Sequence, residues 1–168
     1  HKAKKISSLY TLADVINAGC RDGELDVRGV SHRGYFASIT DFKSYHDANM
    51  DLIDYKTATD LFHDNWPIYT RTNNSCPTHY FDTANVSNSV ISNGSMIEGT
   101  VENSIVGRGC TIKKGAVIKN CVVLADCTIG ENVHIENLVV DKHAKITHAK
   151  EIIRPADEPG YIKRNDTL

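Results

Sequence analysis

Aliphatic residues recur at close to six-residue intervals through the second half of the chain. They stand at Ile91, Ile97, Val106, Ile112, Ile118, Leu124, Ile129, Ile135, Val140 and Ile146, with spacings of 6, 9, 6, 6, 6, 5, 6, 5 and 6. Four positions after each of the first nine come Ser95, Val101, Cys110, Ala116, Val122, Thr128, Val133, Val139 and Ala144, all small or β-branched. A period of six matches neither the 3.6 of a helix nor the 3.5 of a coiled coil. It matches the hexapeptide repeat of a parallel β-helix, whose aliphatic side chain fills a prism and whose later small residue fits beside it near a corner. With about 18 residues per triangular coil, the repeats predict about three and a half coils. Gly94, Gly99, Gly107, Gly109, Gly115 and Gly130 fall near the predicted corners. The one G-x-G, Gly107 to Gly109, lies within the repeats and reads as a corner rather than a phosphate loop. So short a solenoid exposes unpaired strands at each end, which flanking chain or another subunit must cap.

The first eighty residues carry a different pattern. Leu9, Leu12, Ala13 and Ile16 predict a helix over 8–18, with Ser7 or Ser8 as N-cap and Gly19 as its stop. Strands are predicted at Leu25–Val30 and Tyr35–Ile39. Asp41 caps a predicted helix carrying Phe42, Tyr45, Asn49 and Leu52, and Thr57–Phe62 reads as one or two further turns. Two strands and a few helices cannot bury both faces of an α/β sheet. Residues 1–65 are therefore expected to be the C-terminal remnant of a truncated α/β domain. Residues 66–85 form a linker that begins at Trp66, Pro67 and Ile68, and 86–168 a mainly β domain, a left-handed parallel β-helix. Residues 150–168 are read as its irregular cap, with Tyr161 and Ile162 over the last coil and 164–168 frayed.

Composition sharpens that boundary. All twelve aromatic residues lie outside 82–160, and Val and Ile make up 18 of the 64 residues from 86 to 149. The net charge of −2 gives no electrostatic footprint for nucleic acid or an anionic membrane, and neither partner is expected. Within 86–149 six basic residues balance six acidic ones, so the charges read as solvated faces. The longest apolar run, Cys121–Ala125, is far too short to cross a bilayer, and no leader pattern opens the chain, which points to a soluble, cytoplasmic protein.

Five scattered cysteines without a C-x-x-C pair argue against a zinc site or a disulfide framework. Cys110 occupies a small inward slot, and Cys121 and Cys127 read as corner fillers. No Ser-His-Asp or H-E-x-x-H arrangement is present. His134, His143 and His148 could serve as the general base of a hexapeptide acyltransferase, a reading set against plain surface histidines on a coil.

Gly34-Tyr35-Phe36, NMDLID at 49–54, LF at 61–62, PIYT at 67–70 and the hexapeptides of 91–120 stand in one order. Together they resemble the C-terminal part of bacterial glucose-1-phosphate adenylyltransferase, the family that makes ADP-glucose for glycogen, and within it the non-catalytic D-type subunit. In catalytic members the strand matching 34–41 carries an Asp that helps hold sugar phosphate and divalent metal. Ser38 stands at that position, and Thr40 replaces a Gly. A neutral hydroxyl cannot supply the anionic oxygen that Mg²⁺ favours. The resemblance therefore implies no catalytic, cofactor-binding or metal residue in this chain, and no activity of the chain alone.

The implied partner is the catalytic subunit, with its own Mg²⁺, in a hetero-oligomer such as a tetramer; a homo-oligomer is the other possibility. Effectors of the family are anionic sugar phosphates or nucleotides bound near the domain boundary, where Arg71 is the nearest cation. Two other enzyme readings compete, a tail of another sugar nucleotidyltransferase, such as a mannose-1-phosphate guanylyltransferase-like protein, and a hexapeptide acyltransferase. A purely structural oligomerisation module is the fourth.

Overall fold

The computed structural model describes residues 11–63, 65–70, 72 and 74–168. These fall into two compact units, one ending at Arg33 and one beginning at Gly34.

The first unit holds helix α1, Leu12–Arg21. The predicted caps Ser7 and Ser8 lie outside the described residues, and the cap is Thr11. Its side chain accepts from the Asp14 backbone while Asp14 reaches back to the Thr11 N–H at 2.9 Å, a reciprocal capping box. Gly19 does not stop the helix. It is buried inside it, where a Cβ would meet the Leu25 side chain at 2.5 Å, so the glycine serves close packing. The turn comes after Asp22, at Gly23 with φ +72°. Neither predicted strand forms. Residues 25–30 and 35–39 have no ladder partner, and Val30 and Phe36 are largely exposed, because alternation alone gives no strand without a neighbouring edge to pair with.

In the second unit, helix α2 (Phe42–Met50) starts at Asp41 as the sequence predicts, with a capping box closed by Ser44. A short 3₁₀ turn, Asp51–Ile53, leads to α3, Tyr55–Leu61, capped by Asp54. Among the described residues fifteen short strands follow. Those named below are β1 (His79–Tyr80), β2 (Asn85–Ser87), β3 (Val90–Ile91), β9 (Val122–Val123), β14 (Glu151–Ile153) and β15 (Gly160–Ile162). They form three five-stranded sheets in which every third strand pairs in parallel, the topology of a triangular β-solenoid.

The expected parallel β-helix of hexapeptide repeats is thus present, with five strands in each sheet where three and a half coils were expected. β1 falls within the stretch read as linker, and β14 and β15 within the tail read as an irregular cap. Nor is the C-terminus frayed. Thr167 bridges to Lys145, and the N–H of Leu168 donates to the Lys145 carbonyl at 2.9 Å.

The coil length is 17 residues, with 15 in the second coil, as successive corner contacts show, and the last step, from Leu138 to Gly160, spans 22. Ile97, Ile112, Ile129 and Ile146 stack on one inner face, and Val101, Ile118 and Ile135 on the next, all fully buried. On the third face the register aligns Val106, Val123 and Val140. The inward residue is therefore Val123 rather than Leu124, and the small slot after it is Cys127 rather than Thr128.

Two corners of the prism carry a positive-φ residue on four or more coils. At one, Asn88, Asn103, Asn120 and Asn137 have φ of 41–55°. Asn88 donates its amide to Asn103 Oδ1 at 2.8 Å, and Asn103 to Asn120 Oδ1 at 2.7 Å. Asparagine tolerates this conformation and its amide pairs with the coil above. Helix α2 lies against β9, with the Phe42 ring edge-on to Tyr161 at 5.8 Å.

Candidate functional site

A second corner runs through Gly94, Gly109, Asp126, His143 and Asn165, with φ between 60° and 81°. Each level hangs from the one before. Asp126 N–H donates to the Arg108 carbonyl at 2.8 Å, His143 N–H to that of Ala125 at 3.1 Å, and Asn165 N–H to that of Lys142 at 3.1 Å. The residue before each corner therefore sits at the same place on successive coils, and this register brings Arg108, Lys142 and Arg164 to one edge. They line a cleft of about 440 Å³ with Thr72, Ala125, Asp126 and His143.

Three permanent cations face one carboxylate in this cleft. His143 Nδ1 is 3.7 Å from Asp126 Oδ2, an exposed pair worth little by itself. At the neighbouring coil edge the Asp141 carboxyl is held below the usual carboxylate range. The Tyr161 hydroxyl donating to it at 2.7 Å is the main cause, the Lys142 backbone N–H at 2.7 Å adds to it, and the charges of Arg164 and Lys142 contribute further. Guanidinium groups bind phosphate oxygens bidentately, and a lysine adds a point charge, so this edge suits a phosphorylated or polycarboxylate ligand.

Sequence reasoning missed these three residues because it counted charges over the whole repeat region. The signal was the coil length, which puts Arg108 and Lys142 two coils apart on one edge. The residue it named, Arg71, lies outside the described residues. Gly107 and Gly109 serve the corner, as expected of that G-x-G. A Cβ at Gly107 would meet the Ala125 nitrogen at 2.8 Å.

The buried thiols are no candidates. Burial pushes Cys121 up to about 12, and its Sγ donates to the Lys119 carbonyl at 3.0 Å. Of the histidines weighed as a general base, His134 lies between Glu136 and Glu151, at 3.8 Å and 3.4 Å, and His143 is the corner residue. His148 is exposed on the last full coil. Among the described residues no group of three or more His, Cys, Asp or Glu side chains is placed to hold a metal ion, and no helix is long and apolar enough to cross a membrane.

Residues 77–158 match the hexapeptide family described as GlmU-like, C-terminal hexapeptide. The glycogen biosynthesis protein GlgD of Bacillus subtilis (strain 168) is 38% identical over 133 residues, 79% of this chain and 39% of that protein. This likeness supports a GlgD-type C-terminal fragment. Two relatives named glucose-1-phosphate adenylyltransferase agree. That of Geobacillus stearothermophilus is 42% identical over 51% of this chain and 22% of its own length. That of Bacillus mycoides (strain KBAB4) is 36% identical over 73% of this chain and 32% of its own. The chain thus spans well under half the length of these relatives, and its likeness is to a GlgD-type C-terminal region. Ser38, the position where the resemblance puts the Asp of catalytic family members, is exposed in the extended segment that leads to Asp41.

Proposed function

We propose that this chain is part of a non-catalytic accessory subunit that assembles with a catalytic glucose-1-phosphate adenylyltransferase subunit and modulates its synthesis of ADP-glucose from ATP and glucose 1-phosphate. The observation that carries the modulating role is the stacked edge of Arg108, Lys142 and Arg164. An anionic metabolite held there bridges like charges on the second, fourth and fifth coils and tightens that edge. Ser38 supports the non-catalytic part of the reading, since a hydroxyl in place of a carboxylate leaves a metal-assisted attack without its anionic ligand. Mg²⁺ is accordingly assigned to the catalytic partner, and Arg71 remains a second candidate contact for the effector.

The test is ADP-glucose synthesis by the catalytic subunit, with and without the full-length parent of this chain, across a series of phosphorylated metabolites. The expected result is no activity from the parent alone and a changed effector response of the mixture. That change should be lost in Lys142→Ala/Arg164→Ala and should weaken as salt rises. Full activity of the parent alone, or an unchanged partner, would overturn the reading.

A further inference from the structure

Asn93 is the only asparagine in the chain that is followed by glycine. The pair comes just after β3, where Gly94 opens the corner that continues through Gly109, Asp126, His143 and Asn165. Each of these four later residues donates its backbone N–H to the coil before, to the carbonyls of Asn93, Arg108, Ala125 and Lys142 in turn, at 2.8–3.3 Å. The Gly94 N–H donates to no described residue. Its level is not bare, because Ser75 packs over it, and a Cβ on Gly94 would stand 2.9 Å from that of Ser75. The N–H is therefore unpaired at a corner that the chain itself already covers.

The Asn93 side chain is open too. The residue is exposed, and among the described residues its amide has no hydrogen-bond partner. The asparagines of the other corner are held, since Asn88 donates to Asn103, Asn103 to Asn120, and Asn137 to the Arg154 carbonyl at 2.6 Å. Asp22, the one aspartate followed by glycine, is held in another way, with the Gly23 N–H on the Cys20 carbonyl at 3.3 Å. Glycine is required at 94 by a φ of +81° and by the closeness of Ser75. A residue without a Cβ also leaves its own nitrogen unshielded. The corner thus sets an unshielded, unpaired backbone nitrogen directly after an unheld side-chain amide.

We propose that Asn93 is a site of spontaneous deamidation in the folded chain, and that its product adds a carboxylate to the cationic edge. Asparagine is chemically labile, and this neighbourhood supplies the nucleophile. The Gly94 nitrogen gives its proton to water and attacks Asn93 Cγ. The N–Cγ bond forms, the Cγ–Nδ2 bond breaks, and the side-chain nitrogen takes up a proton and leaves as ammonia. One water then opens the cyclic imide. Cleavage at Cγ gives aspartate, and cleavage at the main-chain carbonyl gives isoaspartate, with one water consumed, one ammonia released and no change of oxidation state. On the first coil Asn93 occupies the place that Arg108 occupies on the second, one strand spacing or about 4.8 Å away. Conversion therefore turns a neutral residue at the end of this edge into an anion beside Arg108. Isoaspartate also displaces the carbonyl to which Gly109 donates. The assignment rests on the corner geometry and stands apart from what the cationic edge binds.

The test is peptide mapping by mass spectrometry of the full chain kept folded at mildly alkaline pH, with enzymatic methylation to count isoaspartate and a urea-unfolded sample alongside. The expected result is the amide-to-acid mass shift at Asn93 ahead of every other asparagine, isoaspartate in the same peptide, and a rate of the same order as in the unfolded chain. Asn93→Gln should lose both signals while its thermal unfolding stays that of the wild type. An Asn93 that remains intact in the folded chain, whether or not the unfolded chain converts, would overturn the proposal, because the corner would then hold the nitrogen out of reach. So would conversion that begins at Asn74 or at Asn88, or an isoaspartate signal undiminished in Asn93→Gln.

Discussion

The imidazole Nε2 of His46 lies 2.9 Å from the carbonyl oxygen of Asn120, tying helix α2 to a solenoid corner 74 residues further along the chain. A carbonyl only accepts, so Nε2 carries the proton. Nδ1 is buried without a hydrogen-bond partner, and the nearest carboxylate oxygen, on Asp47, is 3.6 Å away. His46→Ala removes the donor and leaves the carbonyl beneath the helix unpaired, which should cost about 1–3 kcal/mol. The check is faster hydrogen exchange across 42–50 with the solenoid amides unchanged. His46→Gln, which keeps a donor, should recover part of the protection.

Ile118 is fully buried between Val101 and Ile135. Ile118→Asp puts a carboxylate into the prism with no partner and should prevent cooperative folding. Ile118→Val, which trims one methylene, should cost about 0.5–1.5 kcal/mol in urea unfolding. Wild-type stability of the aspartate variant would contradict the inward orientation.

Much of this architecture is legible in the sequence because a side chain inside a narrow prism has few substitutes. Ile97, Ile112, Ile118, Ile129, Ile135 and Ile146 all face inward as the six-residue period requires. The period misleads where a corner is one residue shorter. There Cys121 and Leu138 turn inward in place of Val122 and Val139. Val122 is buried all the same, on the outer face of the strand against which α2 lies, and hydrophobicity alone cannot tell burial inside a coil from burial beneath a helix. The first and last coils escape the period for a different reason. Tyr80 takes an aliphatic slot at the open end, and residues 155–159 interrupt the approach to β15. The cationic corner was not legible, since its members are neighbours only through the coil length.

Asn120 combines φ +49° with a side chain that accepts from Asn103. Asn120→Ala should lose the ladder contact and also strain the backbone, by about 1–2 kcal/mol for the left-handed conformation. Asn120→Gly loses the contact without that strain. Thermal unfolding should therefore rank the wild type above glycine and glycine above alanine. Alanine at or above glycine would mean that the corner relaxes out of its positive φ.

Asp141 is held below its ordinary range first by the Tyr161 hydroxyl. A depressed carboxyl contributes stability that is fully present above the unfolded value, about 4, and is lost as pH falls through the lower folded value. Tyr161→Phe should remove most of this contribution and Asp141→Asn all of it. Both variants should then show a shallower loss of thermal stability than wild type over the acid range. Their curves should approach the wild-type curve at the lowest pH, where its carboxyl is protonated too.

The short closure by Thr167 and Leu168 also fastens the end of the chain to the last coil, where the Leu168 carbonyl accepts from Thr147 and His148. Clipping these two residues would leave Lys145 and Thr147 as an unpaired edge, so two side-by-side residues act as the clasp that keeps the last coil from opening.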